Sequence, residues 1–262
     1  GLYAINILNN HSEFLFGFSD YFDDITDDNI KTLIKDNRGI FWLGSNTVGA
    51  YQWDPQKELV KNYGYERNNP ASLSYNEVWH ALPDSLNQDL LWVATSNGLN
   101  LIDLTEQRVN SFLVNNDSKS IYTTSHIYKL LTLSPEQLLV STAQGVQLFD
   151  KKQEKTLPLP FNSEINQLLA LEQFDILKEG DFLWLTNEKG LFKINLITYQ
   201  IDTLSEITTL FSPERLLYFL GSLPSSDWFL LTSNDGLWGF NTSTREFIQL
   251  YQLEGILAGE NV

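Results

Sequence analysis

The chain has 262 residues, 42% of them hydrophobic, which is enough to bury a sizeable core in one repeating domain. Thirty-three acids against 17 bases give a formal net charge of −16, which argues against nucleic acid and anionic membrane surfaces, since both are met by a basic face. With no cysteine there is no disulfide, thiolate metal site or cysteine nucleophile, and no apolar run approaches the roughly 18 residues that span a bilayer.

In chain order, Gly1 to Asn6 reads as one strand and Glu13 to Phe18 as its return. The acidic stretch Asp20 to Asp28 is a loop. Asn29 to Ile34 is a strand, Asp36-Asn37-Arg38-Gly39 a turn, and Phe41 to Asp54 (FWLGSNTVGAYQWD) a second and third strand, with a fourth near Leu59 to Tyr63. Asn69-Pro70 is turn chemistry, and the chain re-enters a strand at Val78 to Leu82. Leu91 to Asp103 (LWVATSNGLNLID) is a hairpin in sequence form: aromatic and β-branched residues, then Ser96-Asn97-Gly98, which tolerates the positive φ of tight turns, then a return strand. Arg108 to Val114 follows it.

The same phrase returns as Leu138 to Asp150, Leu183 to Asn195 and Phe229 to Asn241. First strands are expected at Ile127 to Leu133, at Ile165 to Leu171 and near Arg215 to Leu220, and a last outer strand at Phe247 to Leu250. The Asp or Asn that closes each phrase (Asn6, Asp54, Asp103, Asp150, Asn195, Asn241) recurs about every 47 residues, the length of a four-stranded propeller blade. The expected fold is therefore all-β: a β-propeller of four-stranded blades near residues 1–18, 29–63, 76–114, 126–157, 164–204 and 213–250. Another blade is expected to open at 251–262. That is six blades, or part of a seven-bladed or larger propeller. A chain that opens on half a repeat and has no methionine is expected to be a piece of a longer protein.

Asn29-Ile30-x-x-Leu33 followed by Asp36-x-x-Gly39-x-x-Trp42-Leu43-Gly44 resembles the two-component regulator propeller repeat. So do Asn76-x-Val78, Asp84 and Leu91 to Leu99, and the linker Asn69-Pro70-Ala71-Ser72-Leu73-Ser74-Tyr75-Asn76 is similar to the one that joins blades in that family. Later repeats depart from the pattern: Ser134 to Gln137, Lys178 to Asp181 and Pro224 to Asp227 stand where the D-x-x-G turn would be. The resemblance implies a periplasmic sensor domain of a membrane-anchored signal-transduction protein. Its missing cytoplasmic output would be a histidine kinase, often hybrid, or a diguanylate cyclase. It implies an oligosaccharide or other small-molecule ligand and no enzymatic activity in this stretch. A homodimer or protein partner is open. No cofactor, no metal, no nucleic acid and no membrane contact is expected of this stretch.

The repeated Trp42, Trp92 and Trp184 are expected to be core, because blade faces are covered on both sides. Thr95, Thr142, Thr186 and Thr232 precede the hairpin turns, where their hydroxyls can bond turn backbone. No Walker, G-x-S-x-G or H-E-x-x-H motif is present. The ends of the first strands are the positions for a ligand, because propeller loops gather there. The candidates are Asn29, Lys31, Asn76, Trp79, His80, His126, Tyr128, Lys129, Asn166 and Arg215, with Glu164 beside them. Rings to stack on sugars and amides to bond hydroxyls suit carbohydrate or carboxylate recognition. A propeller lyase or glycosidase, or a protein-binding scaffold, are the alternatives.

Overall fold

The computed structural model describes residues 2–6, 11–16, 29–57, 59–114, 125–204, 218–222, 226–233 and 236–252. The chain divides into two compact units, Gly1–Val114 and Asn115–Val262. In the first, β1 (Leu2–Asn6) pairs with β2 (His11–Phe16). Two four-stranded sheets follow: β3 (Ile30–Lys35), β4 (Phe41–Ser45), β5 (Ala50–Asp54) and β6 (Leu59–Tyr63), then β7 (Val78–Pro83), β8 (Leu90–Thr95), β9 (Gly98–Asp103) and β10 (Arg108–Phe112).

The second unit has three sheets of the same order. They are β11 (Ile127–Ser134), β12 (Gln137–Thr142), β13 (Gly145–Asp150) and β14 (Lys155–Leu157); β15 (Gln173–Glu179), β16 (Phe182–Asn187), β17 (Gly190–Asn195) and β18 (Ile201–Thr203); and β19 (Tyr218–Ser222), β20 (Trp228–Ser233), β21 (Gly236–Asn241) and β22 (Phe247–Gln252). Each sheet is an antiparallel meander in chain order, the blade of a β-propeller. Among the described residues there are five such blades and not six; the stretch expected as a first blade supplies the β1–β2 pair. Tyr251 and Gln252 open no new blade: they pair with Leu237 and Gly236 as the end of β22, and residues 253–262 lie outside the described residues.

Ile165 to Leu171 is not a strand. Helix α1 (Ser163–Leu169) stands there, and the first strand of that blade is β15. Asn162 caps the helix, its side-chain Oδ1 accepting the Ile165 N–H at 2.9 Å. Ile165 and Leu169, four apart, share its buried face. They pack with Leu139, Val146, Ile176, Leu185 and Phe192 of the two flanking blades.

The repeated polar residues explain the hairpins. The phrase-closing Asp or Asn is the cap of the turn from third to fourth strand. Asp103 Oδ1 accepts Thr105 and Glu106 N–H, Asp150 Oδ1 accepts Lys152 and Gln153 N–H, Asn195 Oδ1 accepts Ile197 and Thr198 N–H, and Asn241 Oδ1 accepts Ser243 and Thr244 N–H. Four positions after each cap the backbone turns left-handed, at Gln107, Glu154, Tyr199 and Arg245. The turn from second to third strand is held by the last residue of the second strand. Thr95 and Thr142 donate to the carbonyls of Gly98 and Gly145, as expected. In the next two blades the position falls one residue later, on Asn187, which accepts Lys189 N–H, and on Ser233, 3.5 Å from the Gly236 carbonyl. Thr186 instead accepts the Asp175 N–H.

In the two blades that carry it, the Asp of the first turn does two jobs. Asp84 Oδ1 accepts Leu86 and Asn87 N–H, while Oδ2 accepts the Trp92 indole N–H at 2.8 Å. Asp36 likewise takes Arg38 and Ile40 N–H on Oδ1 and, on Oδ2, the Trp42 indole at 3.3 Å and the Arg38 guanidinium. Burial pushes the Asp36 carboxyl up, but the donors from Arg38, Trp42 and the turn backbone outweigh it, and its pKa is lowered overall. A carboxyl depressed in the folded state adds stability above its unfolded pKa and loses it as pH falls through the folded one. Asp36→Asn should therefore cost stability at neutral pH, and that deficit should shrink toward nothing below about pH 4, the ordinary range of an unfolded Asp. Urea unfolding of both proteins from pH 7 to pH 2 checks this; a deficit independent of pH would refute it.

Cores lie between blade faces. In the first unit Trp42, Leu73, Val78, Leu91, Val93 and Ile102 form one cluster, so the linker residue Leu73, 1% exposed, seals the join of two blades. In the second unit Trp184 meets Phe229 and Phe240 edge-on at 5.0 and 5.9 Å. The three repeated tryptophans are buried, as expected.

Candidate functional site

Strand pairing skips one residue near the start of the first strand in four of the blades, at the same place. Ile30 faces Ser45 and Thr32 faces Gly44, which leaves Lys31 unpaired in the ladder. Trp79 is skipped between Val78 and His80, Tyr128 between Ile127 and Lys129, and Phe174 between Gln173 and Asp175. In the fifth blade the skip falls at Leu220, between Phe219 and Gly221. A β-bulge of this kind bends the strand and re-aims a side chain, and such bulges concentrate beside functional sites.

In the first unit, the bulge residues of neighbouring blades meet. The Lys31 ammonium lies 4.6 Å from the centroid of the Trp79 ring, a cation–π contact. The Trp79 indole donates to Ser96 Oγ at 2.8 Å, and the Ser96 hydroxyl bonds the Glu77 carboxylate. Trp79 and His80 are half-buried and Lys31 is exposed. Asn29 and Asn76 serve the backbone. Asn29 is exposed and its carbonyl accepts Asn46 N–H. Asn76 Oδ1 accepts Tyr65 N–H at 2.6 Å and its carbonyl accepts Gly49 N–H.

In the second unit, Tyr128 Oη donates to Glu172 at 3.0 Å. The Lys129 ammonium is 2.7 Å from Asp175 Oδ1, whose side chain is 6% exposed. The His126 ring lies 4.7 Å from the Tyr128 ring. Burial, with the charges of Asp175 and Glu172, raises the pKa of Tyr218, so its phenol is a neutral donor at physiological pH. Asn166 and Glu164 lie on α1 rather than on a first strand, and the Asn166 amide donates to the Phe161 carbonyl. Arg215 lies outside the described residues.

Sequence reading missed Glu77, Ser96, Glu172, Asp175 and Tyr218. One signal could have found Asp175: it follows the skipped residue, as His80 and Lys129 do. Each unit thus offers exposed or half-exposed ring edges beside a fixed ammonium and a carboxylate. That set can stack a ring and exchange hydrogen bonds with hydroxyl, amide or carboxylate groups.

No family model matches the chain, and no curated protein does. Solved structures do. The extracellular domain of a candidate hybrid two-component system, BT3049 of B. thetaiotaomicron, is 17% identical over 92% of this chain and 31% of its own, with a TM-score of 0.64. A second from the same organism, BT4673, is 18% identical over 89% of this chain and 37% of its own, with a TM-score of 0.61. An ancestral GH74 enzyme is 12% identical over 84% of this chain and 31% of its own, at 0.57. The chain thus spans about a third of the length of these proteins, and the likeness is one of fold. Among the described residues, no helix is long and apolar enough to cross a membrane.

Proposed function

We propose that this chain is a ligand-sensing propeller segment of the extracytoplasmic part of a membrane-anchored two-component signalling protein. The observation that carries the reading is the recurrent bulge, which sets Lys31, Trp79 and Tyr128 apart from the sheet ladders, each beside polar partners. The two-component ectodomains with the higher TM-scores support it, as do the repeat motifs that resemble that family. The ligand would be an oligosaccharide or another polar small molecule, with the Trp79 ring as stacking face and Lys31, Ser96 and Glu77 around it. Binding would act by favouring one of two pre-existing arrangements of the whole receptor, to the extent that the ligand prefers it.

A thermal-shift screen of the protein against oligosaccharides and small metabolites tests the reading. A ligand at 100 times its Kd adds about 2.7 kcal/mol of stability. Trp79→Ala should weaken a hit about thirtyfold, the roughly 2 kcal/mol expected of a central aromatic anchor. A hit indifferent to Trp79→Ala, or conversion of a panel member to product, would overturn the reading.

A further inference from the structure

In the second unit, the starts of three successive blades bring two phenols and a carboxylate together. Tyr128 is the skipped residue of β11, Glu172 immediately precedes β15, and Tyr218 opens β19. Tyr128 Oη donates to Glu172 Oε1 at 3.0 Å, so this phenol and the carboxylate are in direct contact. The His126 ring, 4.7 Å from the Tyr128 ring, backs it. Burial, then the charges of Asp175 and Glu172, raise the Tyr218 pKa, which places that phenol beside the same acids. Tyr218 is 42% exposed, Tyr128 is half-buried and Glu172 is exposed, so all three can meet a ligand.

The two acids here are treated differently. Asp175, its side chain 6% exposed, holds the Lys129 ammonium and the Ile176 N–H on Oδ1, each at 2.7 Å. That ion pair is neutral. Glu172 has no ion-pair partner among the described residues, only the Tyr128 hydroxyl. A phenol can fix a carboxylate but cannot neutralise it. Lys129, Asp175 and Glu172 together therefore leave one uncompensated negative charge, beside two rings whose faces attract cations. Donating to a carboxylate makes the Tyr128 ring more electron-rich, which deepens that preference. In the first unit the matching ring, Trp79, already carries the Lys31 ammonium at 4.6 Å.

We propose that this cluster binds the primary ammonium of a small organic cation, an amino sugar or an aliphatic polyamine. The ammonium donates to the Glu172 carboxylate and rests against the Tyr128 ring, with the Tyr218 phenol oxygen as a second acceptor. The site lies in the second unit, apart from Trp79, and does not rest on the reading under Proposed function.

Isothermal titration of the full chain with glucosamine and putrescine, each against its neutral counterpart, glucose and butanediol, tests it. At least one amine should bind, about tenfold or more tighter than its counterpart, the worth of a hydrogen bond to a charged group. Binding of glucosamine alone would mark an amino-sugar site, and of putrescine alone a polyamine site. Glu172→Gln keeps an acceptor for Tyr128 and removes the charge; it should lose binding about tenfold or more. Tyr128→Leu, which removes ring and hydroxyl together, should weaken binding as well. Glu179→Gln, an exposed acid at the far end of β15, should leave it unchanged, as should Trp79→Ala. Binding by neither amine, equal binding of the neutral counterpart, a loss in Glu179→Gln as large as in Glu172→Gln, or indifference to Glu172→Gln or Tyr128→Leu in variants that melt like the parent would overturn the proposal.

Discussion

Asp84→Ala should unfold about 4 kcal/mol more easily than the parent. The carboxylate is 9% exposed, and three donors converge on it: the Leu86 and Asn87 N–H groups of the turn and the Trp92 indole, itself 2% exposed. A hydrogen bond to a charged group is worth about 1.5–3 kcal/mol, and a buried donor left without an acceptor costs about 1–3. Truncation strands the indole inside the blade and leaves the turn uncapped, so the losses compound. Asp84→Asn should cost about half as much. Its Oδ1 can still hold the turn, but its amide turns two hydrogens toward the indole N–H.

Chemical unfolding gives the comparison, with the midpoint shifting and the slope unchanged. The β15–β18 blade supplies an internal control. Its first turn carries Glu179 and Asp181, but no acid bonds the tryptophan there: the Trp184 indole N–H has no hydrogen-bond partner among the described residues. Removing that N–H takes nothing from a partner, so Trp184→Phe should cost about 1–2 kcal/mol less than Trp92→Phe. Equal costs for the two tryptophans, or an Asp84→Ala variant within about 1 kcal/mol of the parent, would show that the Asp–indole bond does not hold the blade.

Gly49→Ala should be the most damaging single methyl group in the first unit, at about 4 kcal/mol or more. Gly49 has φ +97°, and a Cβ there would stand 2.1 Å from the Tyr63 carbonyl oxygen and 2.8 Å from Gly64 Cα. Both obstacles are backbone, so neither can rotate away. The β4–β5 turn is pressed between the end of β6 and the end of the linker: the Asn62 amide donates to the Val48 carbonyl, and Gly49 N–H donates to the carbonyl of Asn76, the last linker residue. Relief would have to part the turn from the linker, and with it the seating of Leu73 in the core. Gly180→Ala is the matched control. Its φ is +55° and a Cβ there meets nothing within 4 Å, so only the left-handed backbone is charged, about 1–2 kcal/mol. If the two substitutions cost the same in denaturant, the contact with the linker contributes nothing.

Much of this was legible in the residues. The spaced Asp and Asn that mark the repeat are the same groups that cap the outer turns, so the period could be read from the chemistry that creates it. The tryptophans betrayed the buried second strands. The helix was not legible: Ile165, Leu168, Leu169 and Leu171 make a short apolar stretch that fits a strand or a helix turn equally well, and the decision rests on the Asn162 cap. Lys31, Trp79 and Tyr128 were named by position and each falls at a bulge, but the polar partners Ser96, Glu77 and Glu172 were not named. A bulge adds one residue to a strand and shifts the alternation of faces, so the pairing of Lys129 with Asp175, 46 positions along, is set by register and leaves no trace in spacing. Thr186 and Thr232 were misplaced, although the glycine spacing marks the difference: the turn glycine stands three positions after Thr95 and Thr142 but four after Thr186 and Thr232, so Asn187 and Ser233 face it across the turn.

The skipped residue also separates two kinds of selection. A position that no neighbouring strand pairs with is one the sheet does not police, and the chain has Lys, Trp, Tyr and Phe there in four successive blades. The residues on either side hold register and tolerate little. A propeller built this way can exchange the groups it shows to the outside world one blade at a time, without renegotiating its fold at each step. New specificities would then arise by single substitutions at a handful of predictable places, about 47 residues apart.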